Sequence, residues 1–180
     1  PIAEAARIAH AHGALLHCDA VQAPGRLSID RAQLGADLLS LSAHKMGGPQ
    51  GIGALILGDG VEIEAQLAGG RQETGRRAGS ENMSGIVGFG VAAELAEDDL
   101  ADVARIASLR DRIEAEISAL GGGLIGNRVP RLCNTACIAM PTMPSETQVM
   151  GFDLAGVAVS AGSACSSGKV GPSHVLKAMD

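Results

Sequence analysis

Three short apolar runs, ALLHCDAVQ (14–22), DLLSLS (37–42) and GIGALILG (51–58), each stop at polar or turn residues. Runs of this length bounded by Gly, Pro or Asp read as buried strands. The third has Ile, Leu and Ala on both faces, as expected when helices cover both sides of a sheet. Ahead of the first run, IAEAARIAHAH (2–12) puts Ile2, Ala5, Ala6, Ile8 and Ala9 at helical spacing, with Gly13 as a C-cap. Between Asn82 and Leu120 charges enter at helical intervals without a proline, which gives one long or two consecutive helices closed by Gly121, Gly122 and Gly123. This alternation predicts the α/β class: a mostly parallel sheet flanked by helices.

Beyond the three glycines, strands at ACIAM (136–140) and VAVS (157–160), a helix from Ser145 and a helix from Pro172 make a smaller α+β module. The expected division is 1–95 for the larger domain and 96–180 for the smaller. Three or four parallel strands with one flanking helix cannot close both faces of such a sheet, and the chain opens in one helix and stops in another. The sequence therefore reads as the middle of a longer polypeptide.

Composition narrows the function classes. Two Phe, no Tyr, no Trp and a formal charge of −6 offer neither stacking platforms nor a basic footprint, so a nucleic-acid reader is not expected. The longest uncharged run, 154–168, is 15 residues broken by Gly and Ser, short of the roughly 20 that a membrane span needs. No signal-peptide pattern opens the chain. Four cysteines, Cys18, Cys133, Cys137 and Cys165, form no C-x-x-C pair, which suits a reducing, cytoplasmic setting.

Two nucleotide patterns fail on context. Gly121, Gly123 and Gly126 satisfy G-x-G-x-x-G but follow a helix instead of a strand, and the stretch ending in Gly168-Lys169 has one residue too many and Val170 in place of the hydroxyl. His10 and His12 lie two apart on the expected helix and point about 200° away from each other, so no metal site is assigned.

The stretch that carries chemistry is His17-x-Asp19-Ala20-x-Gln22 followed by Ser42-Ala43-His44-Lys45-Met46-Gly47-Gly48-Pro49. Both follow strands, at the carboxyl edge where α/β sheets bind ligands. A lysine between apolar strands and a Gly-Gly-Pro turn can be partly desolvated and form a Schiff base, for which pyridoxal phosphate is the natural carbonyl partner. Asp19 could hold the proton on its ring nitrogen, and Ser42 and His44 could bond its phosphate. Spacing alone favours the plainer reading of a surface lysine in a turn, a histidine capping a strand and an aspartate starting a loop.

HCDAVQ, SAHKMGGPQGIGAL, GGRQETGRRAGSEN and SAGSACSSG, in this order and spread over the chain, resemble the cysteine desulfurases that supply sulfur for iron–sulfur cluster assembly. These belong to the class-V aminotransferase group of fold-type-I pyridoxal-phosphate enzymes. The resemblance implies that Lys45 bonds the cofactor covalently, Asp19 pairs with its ring nitrogen, Gln22 bonds its phenolic oxygen, and Ser42 and His44 hold its phosphate. Ser80 stands where the family usually has a threonine that reaches the partner subunit's cofactor, which implies a homodimer. The implied substrate is L-cysteine, and the implied partner a sulfur-acceptor or iron–sulfur scaffold protein.

Cys165 lies among Gly, Ala and Ser, a composition that favours a mobile loop. Burial statistics favour a structural cysteine, but the resemblance to the long-loop branch makes it the sulfur carrier. Cys133 and Cys137, four apart in an apolar segment, are expected in the core, and Cys18 in packing. Arg71 replaces a frequent glycine, and Gly171 stands where an acidic residue is common. The family's Gly/Thr phosphate segment, ring-stacking histidine and asparagine would lie upstream of the matched region, and its substrate-carboxylate arginine downstream. Other class-V enzymes, a selenocysteine lyase or an aminotransferase, and a truncated non-catalytic paralogue remain the alternatives.

Overall fold

The computed structural model describes residues 1–162 and 173–179. The chain divides into two compact units, residues 1–107 with 132–134, and residues 108–131 with 135–180.

The first unit opens with α1 (Ile2–Ala11), anchored by Ala6, which is 2% exposed. Gly13 ends it as expected. The Gly13 N–H bonds the His10 carbonyl and the Ala14 N–H reaches back to Ala9, a Schellman closure built on the positive φ of Gly13. A three-stranded sheet follows in the order β1 (His17–Asp19), β2 (Leu38–Ser42), β3 (Gly53–Leu57). β1 and β2 are parallel, with His17 opposite Leu38 and Asp19 opposite Ser40. Between them, α2 (Arg31–Leu34) starts at Asp30, whose carboxylate accepts from the Ala32 and Gln33 N–H groups.

β3 runs antiparallel to β2, with Leu38 opposite Leu57 and Ser42 opposite Gly53. This corrects the expectation of a third parallel strand. Ten residues, 43–52, join the two strands, and their only helical content is a 3-10 turn at Ala43–Met46. A parallel crossover takes a dozen residues or more, so the chain can only turn back. The irregular segment α3 (Gln72–Gly75) contains two left-handed residues, Glu73 and Thr74.

The long charged stretch forms two consecutive helices, α4 (Met83–Asp98) and α5 (Val103–Ala119), joined by a 3-10 turn at Asp99–Asp102. Asn82 caps α4 by accepting from the Gly85 N–H. Gly85, Ala92 and Ala96 form the buried face of α4, whereas Val87, Val91 and Leu95, each four apart, are exposed.

The second unit contains residues 108–119 of α5, an antiparallel pair β4 (Gly123–Ile125) and β5 (Cys137–Ala139), then α6 (Ser145–Leu154) and α7 (His174–Ala178). β5, α6 and α7 lie within the segments expected to be regular, although Pro172, the expected start of α7, lies outside the described residues. β4 was not expected, because its first residue is one of the glycines taken to close the helix. No strand forms at 157–160, where an apolar run suggested one. Among the described residues, no helix is long and apolar enough to cross a membrane.

Candidate active site

The parallel ladder sets the site's framework. Asp19 ends β1 opposite Ser40, and the Ala20 N–H continues the ladder by donating to the Ser40 carbonyl at 3.0 Å. The Asp19 side chain is exposed, and its Oδ1 accepts from the Val21 N–H at 3.1 Å, which bends the chain off the sheet edge. Gln22 follows in that bend, also exposed.

Ser42 ends β2, and the 3-10 turn begins at once. Ala43 is fully buried and roots this turn, and the Gly47 and Gly48 N–H groups both return to its carbonyl. Gly47 takes the left-handed conformation, φ 85°, that ends the turn. Small residues let α4 close on the same segment. A Cβ on Gly48 would stand 3.0 Å from those of Ala43 and Ala92, and one on Gly88 would stand 2.5 Å from Pro49 Cγ. The turn is therefore held from beneath. His44 is exposed and its Nδ1 lies 2.9 Å from Ser42 Oγ, while Lys45 is half-buried. Among the described residues no carboxylate forms an ion pair with Lys45.

Asp19, Ser42, His44 and Lys45 thus come to the ends of two adjacent parallel strands. Two cavities flank this unit, and neither encloses all four residues. One, of about 350 Å³, is lined by Lys45, Met46, Arg26, Asp99, Asp102 and Cys133 among others. At its wall the Asp102 carboxyl is held below the usual carboxylate range, first by its hydrogen bond to Arg105. The other, of about 840 Å³, is lined by Ser80 together with Arg76, Arg77 and residues of β3. Ser80 is exposed, in a loop tied by Arg77, whose guanidinium donates to the Ala78, Gly79 and Ser80 carbonyls. It does not join the Lys45 cavity.

Cys165 lies outside the described residues. Cys133 is buried as expected, and Cys18 is half-buried, but Cys137 is exposed. The expectation of two core cysteines fails because the segment between them is not one continuous strand: Cys133 precedes β5 and Cys137 opens it. Two contacts beside the site were not expected: in the sequence His17 stands only as part of its motif, and Arg26 is not singled out. His17 Nε2 lies 2.6 Å from Ser40 Oγ, and Arg26 reaches the carbonyls of both Gln22 and Lys45.

The family model for aminotransferase class-V matches residues 1–180. A cysteine desulfurase of Rhodobacter capsulatus is 49% identical over 99% of this chain and 47% of that protein. One of Klebsiella pneumoniae is 45% identical over 100% of this chain and 46% of its own length. The solved structure of a NifS-like protein from Rickettsia africae superposes with a TM-score of 0.84 at 36% identity, covering 90% of this chain and 46% of that one. The chain spans about half the length of these relatives.

Proposed function

The chain belongs to the class-V aminotransferase family, and from that premise we propose that the full-length protein is a pyridoxal-phosphate-dependent cysteine desulfurase. It converts L-cysteine to L-alanine and leaves the sulfur as a persulfide on Cys165, for delivery to iron–sulfur cluster assembly. The observation that carries this reading is the parallel pairing of β1 with β2, which brings the Asp19 carboxylate to the same sheet edge as the Ser42 to Lys45 turn.

The residues present fit the cofactor. A half-buried amine with no carboxylate partner among the described residues stands on a rooted turn, an exposed carboxylate stands at the neighbouring strand end, and a hydroxyl and an imidazole are already paired with each other. When bound, pyridoxal phosphate supplies an aldehyde carbon for an amine and a ring that takes up electron density from the substrate's Cα. Lys45 would hold the cofactor through its amine, and the same amine would remove and return protons at the substrate's Cα. Asp19 would keep the ring nitrogen protonated, Gln22 would bond the phenolic oxygen, and Ser42 and His44 would hold the phosphate. The Cys165 thiolate attacks the substrate's sulfur, forming the S–S bond as the C–S bond breaks, and the carbon left behind takes a proton to become alanine.

Ser80, in its separate cavity, serves the cofactor of a second subunit, and the exposed stripe of Val87, Val91 and Leu95 supports a homodimer. Residues 1–95 belong to the large cofactor-binding domain and 96–180 to the small one. The working compartment is the cytoplasm, and the sulfur passes to an acceptor or scaffold protein. Incubating the full-length protein with pyridoxal phosphate and L-cysteine tests the reading: equimolar alanine and protein-bound sulfane sulfur are expected. Amine transfer to a 2-oxo acid without sulfur release would overturn it.

A further inference from the structure

The segment after β1 folds back on itself around Pro24 and Gly25. The Ala23 N–H donates to the Ala20 carbonyl at 2.9 Å, and the Arg26 and Leu27 N–H groups both donate to the Ala23 carbonyl, at 3.0 and 2.9 Å. Gly25, at φ 71°, packs against Asp99: a Cβ there would stand in van der Waals contact with its Oδ2, at 3.4 Å. This pinned loop delivers the half-buried Arg26 guanidinium between two separate segments. Nη1 donates to the Gln22 carbonyl at 3.0 Å, and Nη2 donates to the Lys45 carbonyl at 3.3 Å.

The Lys45 carbonyl belongs to the end of a single 3-10 turn, where carbonyls lack partners within the turn. Hydrogen bonds from a cation to such carbonyls are stronger than neutral ones, and the rigid guanidinium fork fixes the spacing of its two acceptors. Gln22 and Lys45 otherwise sit on loops leaving different strands. Arg26 spends these two nitrogens on main-chain oxygens, which makes it a tie between the loops.

We propose that Arg26 is a positioning residue: it locks the backbone of Gln22 to the backbone of Lys45, and so sets where the lysine amine stands relative to the edge of β1. The proposal rests on the reading of Lys45 and Gln22 as cofactor-binding residues. A displacement of about 1 Å at a reacting group can cost about 100-fold in rate, so a tie of this kind matters without touching the substrate.

The test uses the full-length protein with Arg26→Met, which keeps the stem and removes both donors, and Arg26→Lys, whose single ammonium reaches one carbonyl at a time. In Arg26→Met, kcat for alanine formation is expected to fall about tenfold to 100-fold while KM for L-cysteine stays within about threefold. In the cofactor-free protein, hydrogen exchange at the Gly47 and Gly48 amides should quicken about tenfold, with the β1 and β2 amides unchanged. Arg26→Lys should fall between Arg26→Met and wild type, and it carries the same comparison should Arg26→Met fail to fold.

Wild-type exchange at Gly47 and Gly48 together with wild-type kcat in either folded variant overturns the proposal. So does faster exchange across the whole sheet, which would make Arg26 a general stabiliser. Lys45→Ala, run alongside, separates the two readings. If that variant keeps a borohydride-reducible cofactor link, the lysine assignment falls, and the tie itself is still judged by exchange at Gly47 and Gly48.

Discussion

Arg131 sets its two terminal nitrogens on the two oxygens of Glu114, at 2.5 and 2.9 Å. Glu114 is the buried charge of α5, 6% exposed, and this fork ties the helix to the loop ahead of β5. The Arg131 hydrogen bonds hold the Glu114 carboxyl below its ordinary value of 4.5, against burial, which pushes it up. A lowered folded-state pKa gives stability that is fully present above the unfolded value and is lost as pH falls through the folded one. Glu114→Gln should therefore melt lower than wild type by roughly 5 °C at neutral pH, and the gap should close below the ordinary carboxylate range. Thermal melts of both proteins from pH 7 downward check this.

Asp37 forms a second tie, in the first unit. Its Oδ2 accepts from the Leu16 N–H at 2.7 Å and lies 2.8 Å from His10 Nε2, joining the end of α1 to the start of β2. The Leu16 bond, then the His10 bond, lowers the Asp37 carboxyl below its ordinary 3.8. Asp37→Ala should speed exchange of the Leu16 amide about tenfold at neutral pH. That difference should fade as acid protonates Asp37 in the wild type, because the carboxylate's contribution disappears below its folded pKa. Exchange measured by mass spectrometry at several pH values decides it.

Lys45 is the amine at the edge of the parallel pair. Lys45→Ala in the full-length protein should lose the borohydride-reducible cofactor link and lower turnover by at least about 1,000-fold, since the proposed mechanism rests both covalent attachment and proton transfer on this one amine. Absorbance after borohydride treatment and alanine release are the measurements.

Asp19 should affect a different step. Asp19→Ala removes the carboxylate proposed to keep the ring nitrogen protonated, while Lys45 and the Ser42–His44 pair remain. The cofactor link should survive, and exchange of the substrate's Cα proton with solvent should slow by about 100-fold or more. Unchanged Cα exchange followed by NMR would count against this role.

Cys165 is expected to carry the sulfur. Cys165→Ser should still bind the cofactor and L-cysteine but release no alanine above about 1% of the wild-type rate. In wild type treated with L-cysteine, a digest should show one extra sulfur on the Cys165 peptide, removable by a reducing thiol, with Cys133 and Cys137 unmodified. Sulfur on the exposed Cys137 instead would move the acceptor into the second unit's sheet.

By itself the sequence determined what depends on neighbours a few residues away. Gly13 stops α1 through bonds to Ala9 and His10, Asn82 precedes α4, and the HCDAVQ and SAHK segments fall at strand ends, because caps, turns and apolar runs are local. The class-V family was legible for the same reason, since its motifs are contiguous. The tertiary structure decided whatever needed a distant partner. A strand's direction depends on what lies beside it and how long the connection is, so β3 turned back antiparallel. An apolar run becomes a strand only when an edge accepts it, so Gly123–Ile125 paired with Cys137–Ala139 and 157–160 did not pair. Burial is likewise a property of the packed chain, which is why Cys137 is exposed while Cys133 is covered. The reach of Arg26 to Lys45 spans 19 residues. No local pattern encodes it, because the Pro24–Gly25 turn and the 3-10 turn meet only after β1 and β2 have paired.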